Sequence, residues 1–245
     1  MTKQHKLPDL FLSLPHECGY LPGRQATSLF VDPGNTTTAQ HYSLFLHAGF
    51  RRSGRLIYRP HCQSCNECVS VRIPVRDFVP RRGQKRLLKR NSDLVVVERP
   101  PYFSDEHFQL YRKYQSSRHT DGSMDHEDRS AYEDFLVKSP VDTRFFEIRT
   151  PGPSDKGRLL ALAVTDVVDD GLSAVYTFFD PGETRRGLGV FAILWQIQQT
   201  AKMNLPYLYL GYWIKDCRKM SYKRDYRPLE GWRDGIWRPM EIKQV

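Results

Sequence analysis

The sequence predicts a mixed α/β chain, with a smaller cysteine-containing region ahead of a larger catalytic core. Three observations carry this. Residues 1–75 are rich in Pro, Gly and Cys and hold only short apolar runs. Asp169-Asp170-Gly171 separates two strand-like stretches, 159–168 and 172–179, as a hairpin turn would. Gly187-Leu188-Gly189 then opens a long helical pattern, 188–202, before another strand-like run, 207–213. Interleaved strands and helices of this kind call for layers of helix on sheet. The expected division is a cysteine-containing region over 1–75 and a catalytic domain over 76–245.

In chain order, Asp32-Pro33-Gly34-Asn35 reads as a turn. A helix is expected over about 37–48, with Tyr42, Phe45 and Leu46 on one side and Gly49 ending it. Residues 55–58 and 69–75 read as short strands, the second limited by Pro74. Residues 81–90 form a basic helical pattern in which Leu87 and Leu88 face a core. A strand at 94–97 follows. Ser104 can cap a helix whose first turn carries Asp105 and Glu106, suiting the helix dipole. A further helix is expected over 127–137 and a strand over 144–149. A short helix follows Asp216, and the Trp-rich tail reads as irregular.

The 245-residue chain can bury a sizeable core. No apolar run reaches the length of a membrane-spanning helix. The early residues Lys3, His5 and Lys6 run into Leu7-Pro8-Asp9, unlike an export signal, so a cytoplasmic protein with no membrane partner is expected. Five cysteines, an odd number, argue against a disulfide framework. The net charge is +9, and residues 51–90 alone carry +10, with ten Arg, two Lys and two acids. Such a localised field attracts polyanions, nucleic acid foremost. A solvated charged face is the plainer alternative, but arginine suits fixed phosphate contacts better than mere solubility.

Three places can carry chemistry. Arg185, Arg186, Gly187 and Gly189 precede a helix whose free N–H groups can hold an anion, although a Gly-x-Gly also serves as a simple tight turn. There is no Gly-Lys-Ser/Thr of a phosphate-binding loop and no third glycine of a dinucleotide fingerprint. The run from Tyr207 to Lys223 mixes tyrosines with cations. It suits a terminal nucleotide, unless the tyrosines are core. Tyr212, Lys219 and Tyr222 are its candidate catalytic residues, and Lys223 a candidate contact to the nucleic acid. Cys62, Cys65 and Cys68, with Cys18 folding back, have the count for zinc or an iron–sulfur centre, or are simply reduced thiols. Cys217 has no histidine paired with it by sequence, although His16, His41, His47, His61, His119 and His126 are available.

Longer strings are more specific. They are Cys18-Gly19-Tyr20-Leu21-Pro22, Gly49-Phe50-Arg51-Arg52-Ser53-Gly54, and Tyr58-Arg59-Pro60-His61-Cys62 through Cys68. Further on come Gln84-Lys85-Arg86, Leu208 through Ile214, and Met220-Ser221-Tyr222-Lys223 with Tyr226-Arg227-Pro228. In these the chain, from about Leu12 to Glu230, resembles the bacterial aspartate/glutamate leucyltransferases, relatives of the arginyl-tRNA–protein transferases. The resemblance implies an acetyltransferase-like core and transfer of leucine from leucyl-tRNA to proteins beginning with Asp or Glu, marking them for degradation. Aminoacyl-tRNA replaces coenzyme A as co-substrate, and no cofactor is required for transfer. Two departures stand out. Thr184 occupies the place where a coenzyme A loop carries Arg or Gln. Leu21 stands where the arginyl relatives have a second cysteine, and the later cysteines are spaced rather than adjacent.

An aminoacyl ester is already activated, so the enzyme must align a neutral amine with it and stabilise an oxyanion. Arg82, Lys85, Arg86 and Lys89 are expected on tRNA. Arg24, Arg51 and Arg52 are candidates for the acceptor's carboxylate. Arginyl transfer, acyl-CoA-dependent N-acetylation and non-catalytic RNA binding are the alternatives.

Overall fold

The computed structural model describes residues 8–34, 38–118, 128–153 and 156–241. The stretch before Pro8, Asn35 of the expected turn, His119, His126 and the start of the 127–137 helix lie outside these. Within the described turn, the Gly34 amide bonds the Asp32 carboxylate at 2.9 Å.

The first part of the chain forms a four-stranded antiparallel sheet. Its strands are β1 (Leu10–Leu12), β4 (Ser28–Val31), β6 (Leu56–Pro60) and β5 (Arg51–Ser53), in that spatial order. A small pair, β2 (His16–Glu17) and β3 (Gln25–Ala26), precedes β4. Helix α1 (Ala39–His47), capped by the Thr38 hydroxyl, leads into β5. The region read as largely irregular therefore has a sheet of its own, built from strands too short to show a period.

The larger sheet has eight strands. From one edge they are β14 (Ile236–Pro239), β13 (Glu230–Arg233), β7 (Val69–Pro74), β12 (Tyr207–Trp213), β11 (Gly171–Phe179), β10 (Leu159–Val168), β9 (Thr143–Arg149) and β8 (Val95–Arg99). All neighbours are antiparallel except β11 and β12, which α5 (Leu188–Lys202) joins by a crossover. A parallel pair requires such a crossover. Two sequence expectations change here. β7 lies inside the large sheet, so a boundary at residue 75 does not separate the two sheets. The tail is a hairpin, turned by Asp234-Gly235 with φ of 52° and 83°, the geometry an Asp-Gly turn favours.

Helix α5 and α2 (Arg82–Arg90) cover one face, where Ile193, Leu194 and Ile197 meet Val71, Ile73 and Leu208, with Leu87 and Leu88 packed alongside. The other face takes α3 (Asp105–Arg118) and α1. Residues 129–137 also pack there, the short helix α4 (Arg129–Tyr132) running into a wider π-turn over Glu133–Val137. Neighbours Phe145 and Phe146 on β9 point to opposite faces, as strand geometry demands. β10 is covered on both sides and is correspondingly apolar. Its buried polar residues have partners: Thr165 donates to Gln196 at 2.9 Å, and Asp166 receives Arg52.

Candidate active site

β11 and β12 pair only at Gly171–Ser173 and Tyr207–Tyr209. Beyond that they part, and the β12–β7 ladder shifts register between Tyr209 and Gly211. Gly211 has φ +70°, a conformation side chains rarely adopt, and Arg51 Nη1 lies 3.2 Å from where its Cβ would stand. The small cavity at this fork is lined by Leu46, Arg51, Ser70, Ala174 and Gly211 among others. The guanidinium of Arg51 lies over the rings of Tyr212 at 5.5 Å and Tyr58 at 5.9 Å. No carboxylate among the described residues pairs with it.

The predicted catalytic segment continues from β12 into a 3-10 helix, Arg218–Asp225. Tyr212 is 1% exposed, and its hydroxyl donates to the carbonyls of Tyr58 (3.0 Å) and Gly49 (3.2 Å). That use orients the ring under Arg51 and leaves the phenol no free proton. Lys219 and Tyr222 are exposed. Lys223 is buried and donates to the Tyr212 carbonyl. Burial, then the nearby Arg51 charge, push its ammonium down to about 7. Tyr207 and Tyr209 surround Arg72 instead, which lies 3.5 Å from the Tyr207 ring centre and pairs with Glu230 at 2.7 Å. The Tyr209 hydroxyl donates to Asp170 at 2.9 Å. These two tyrosines serve the sheet.

The three acceptor-site arginines lie in three different settings. Arg52 is 1% exposed and forks onto Asp166 at 2.7 and 2.8 Å, with Gly54 and Thr143 taking its other donors. It joins β5 to β10, and no acceptor can reach it. Arg24 is exposed and donates to Cys65 Sγ at 3.3 Å. Arg51 and Arg52 both line the fork cavity, and of the two only Arg51 has no carboxylate partner among the described residues.

Helix α2 presents Arg82, Lys85, Arg86 and Lys89 to solvent, none of them ion-paired among the described residues. It is docked at both ends. The Arg81 guanidinium and the Gln84 amide donate to the Asp225 carboxylate and carbonyl, at 3.2 Å each. At the other end, Arg90 and Asn91 donate to the carbonyls of Arg185 and Arg186 at 2.5 and 2.8 Å. The basic helix thus spans from the Lys223 segment to the glycine turn.

That docking fills the space at the two glycines, while an open concavity lined by Arg90, Thr184, Arg185 and Arg186 lies beside them. Gly187, at φ +61°, has the Leu87 side chain 2.7 Å from its Cβ position, and Gly189 has Phe179 at 3.1 Å. Arg186 forks onto Asp93 at 2.9 Å for both bonds and approaches Glu183 at 3.5 Å, so its charge is already matched. Arg185 stays exposed beside Arg90 and extends the basic face of α2.

Cys18, Cys62, Cys65 and Cys68 are free, half-buried and gathered together. Burial, then the neighbouring Cys18, Cys62 and Cys65, push the Cys68 thiol up to about 12. Among the described residues no group of three or more His, Cys, Asp or Glu is disposed to hold a metal ion. As placed, the four sulfurs make no closed ligand set, and the Cys65 sulfur accepts from Arg24.

Sequence reasoning missed Arg59, Trp232 and Asp166. Arg59 stood in a motif block without a role, and Trp232 belonged to a tail read as irregular. Asp166 looked like one polar residue in an apolar strand, which was itself a signal, since a buried carboxylate needs a cation. No helix among the described residues is long and apolar enough to cross a membrane.

Family comparison matches residues 16–86 to the N terminus, and 106–233 to the C terminus, of arginine-tRNA-protein transferase. Relatives include an aspartate/glutamate leucyltransferase of Pseudomonas aeruginosa, 51% identical over 94% of this chain and 95% of its own. One from Pseudomonas fluorescens is 52% identical over the same shares. Solved structures with similarity include L-PGS from Bacillus licheniformis, at 13% identity, 70% of this chain, 58% of that chain and TM-score 0.49. FemX matches at 10% identity, 70% and 59% coverage and TM-score 0.45.

Proposed function

Because the chain belongs to the arginine-tRNA–protein transferase family, we propose that it transfers leucine from leucyl-tRNA to the N-terminal amine of proteins beginning with Asp or Glu. The observation that carries this is identity of 51% with a leucyltransferase along 94% of the chain. The product begins with leucine and is marked for degradation. Charged tRNA as co-substrate supports a cytoplasmic site of action.

The geometry supports a division of labour. The free cations on α2, with Arg185, offer phosphate contacts along one face, and such contacts position a nucleic acid without reading its sequence. The ester is assigned to the mouth of the fork between β11 and β12, because the cavity inside it, about 10 Å3, holds no more than a water. There Arg51, a cation without a counter-ion, can stabilise the oxyanion formed when the amine attacks the carbonyl. A C–N bond forms, the ester bond between the leucyl carbonyl carbon and the ribose oxygen breaks, and the ribose oxygen leaves with a proton. The attacking α-amine, with pKa near 7.7–8.0, must first lose its proton. Lys223, neutral above about 7, is placed beside Arg51 to accept it. Tyr222 and Lys219 flank the open side as contacts for the 3′ end.

Coenzyme A is a poorer fit as acyl carrier. Its diphosphate needs a free cradle at the glycine turn, and Leu87 and the Arg186–Asp93 pair fill that place. The test is a transfer assay with labelled leucyl- or arginyl-tRNA and peptides starting with Asp, Glu, Lys or Ala. Leucine on Asp and Glu peptides alone is expected. Arginine transfer, or acetylation from acetyl-CoA, would replace this reading.

A further inference from the structure

A second cleft, of about 360 Å3, lies between the β6 end, the cysteine loop and the C-terminal hairpin. Its wall includes Arg59, His61, Cys65, Ser70, Tyr212 and Trp232. The Arg59 guanidinium lies 4.7 Å from the Trp232 ring centre and 5.0 Å from that of Phe50. Its Nη1 donates to the Ala48 carbonyl at 2.8 Å. Nε and Nη2 make no hydrogen bond among the described residues, and no carboxylate there pairs with the group. Arg52, Arg72, Arg149 and Arg186 each have one. Arginine keeps its charge even where burial lowers its pKa, as here. The two rings and the Ala48 carbonyl offset part of the desolvation of this half-buried guanidinium, and an anionic ligand would supply the missing counter-charge. Two aromatic faces fix its plane, so the unused edge is held ready for a planar, two-oxygen anion.

The cleft also meets the reaction centre. Ser70 lines both it and the Arg51 cavity, and Tyr212 forms part of its wall while carrying Arg51 on its ring. We infer that this cleft receives the first residue of the acceptor protein, with Arg59 binding its side-chain carboxylate. The inference rests on the leucyl-transfer reading and specifies where acceptor selectivity resides. A carboxylate held by Arg59 leaves the α-amine on the Ser70 side, toward the fork where the ester lies. Trp232 bounds the cleft against longer first residues, and the Arg59 charge repels cationic ones. The C-terminal hairpin that supplies it is thereby a specificity element rather than an irregular tail.

Arg59→Lys keeps the charge and removes the fork, and Arg59→Met removes both. With saturating leucyl-tRNA, each should raise KM for Asp- and Glu-initiated peptides by about 10- to 150-fold, the worth of a charge-assisted hydrogen bond. The dissociation constant for leucyl-tRNA should stay within about twofold, and the preference for Glu over Gln peptides should collapse. Weakened tRNA binding with the Glu preference intact would give the cleft to the tRNA 3′ end and overturn the assignment. Unchanged kinetics would overturn it too. A measurement on the unmodified enzyme is independent of how the variants fold and of whether transfer occurs. A saturating Glu-initiated peptide should slow iodoacetamide alkylation of Cys62 and Cys65, which line the cleft, and the matching Gln peptide should not. No protection refutes the inference even if leucyl transfer is confirmed. Protection without leucyl transfer would keep the site and reject the reaction.

Discussion

Replacing Asp166 by Asn should destabilise the protein by about 3–5 kcal/mol, the usual result of removing one partner of a buried ion pair. The side chains of Arg52 and Asp166 are both at 0% exposure. Asp166 receives Arg52 through two bonds, the Tyr42 hydroxyl at 2.8 Å and the Thr143 hydroxyl at 2.6 Å. The amide keeps the shape but accepts through one oxygen, and it leaves the Arg52 charge buried without its counter-ion. For a chain of this length each kcal/mol shifts Tm by about 2–4 °C, giving a fall of about 6–20 °C. Urea unfolding of wild type, Arg52→Met, Asp166→Leu and the double variant measures the coupling directly. Each single change should cost several kcal/mol, and the double variant should recover much of the loss, because an apolar pair of similar volume avoids desolvating two charges. The pair ties β5 to β10, so it also holds Arg51 and, through β6, Arg59 in place. Single variants within about 1 kcal/mol of wild type, with no coupling, would refute this account. So would an Arg52 variant of full stability that loses its preference for Glu over Gln acceptors.

Neutralising Arg82, Lys85, Arg86 and Lys89 together should leave Tm nearly unchanged, since all four are exposed. It should flatten the salt dependence of tRNA binding by about 0.9 per lost duplex phosphate contact, or about 0.7 per single-stranded one; an unaltered slope would place the tRNA elsewhere. For Lys223, the folded pKa of about 7 lies below its ordinary value, so the unfolded chain binds the extra proton between about 7 and 10. Its contribution to stability is therefore present above that window and lost as pH falls through about 7. Lys223→Met should flatten this slope, and at saturating substrate it should lower the transfer rate near pH 7, where the acceptor amine is mostly protonated; the amine's own titration leaves an acidic limb in either case, so an unchanged rate there would exclude Lys223 as proton acceptor. Elemental analysis of active protein purified without oxygen should find zinc and iron well below one atom per chain, and about one site's worth of either would give the four thiols back to a metal.

Periodicity and turn chemistry alone made the large elements legible. The β10–β11 hairpin at Asp170-Gly171, the glycine turn into α5, and the basic helix α2 are local patterns a few residues wide. The concentration of positive charge in residues 51–90 was equally plain, and the motif blocks carried the family. Strands β1, β4 and β5 were less legible than β6, which was read at 55–58, because three or four residues show no period and pair with partners distant in sequence. β7 was seen as a strand, but its place beside β12 was not, since register is decided by contacts across more than a hundred residues. The same limit governs charge. Sequence shows Arg24, Arg51, Arg52, Arg59 and Arg186 as equivalent cations. Tertiary structure gives Arg52 to Asp166, Arg186 to Asp93 and Arg24 to Cys65, and leaves Arg51 and Arg59 without carboxylates. What an ionisable group can do depends on its burial and its neighbours, and both are products of long-range packing. Residue type therefore determined which chemistry was available to this protein, and the fold alone decided which arginines were left free for it.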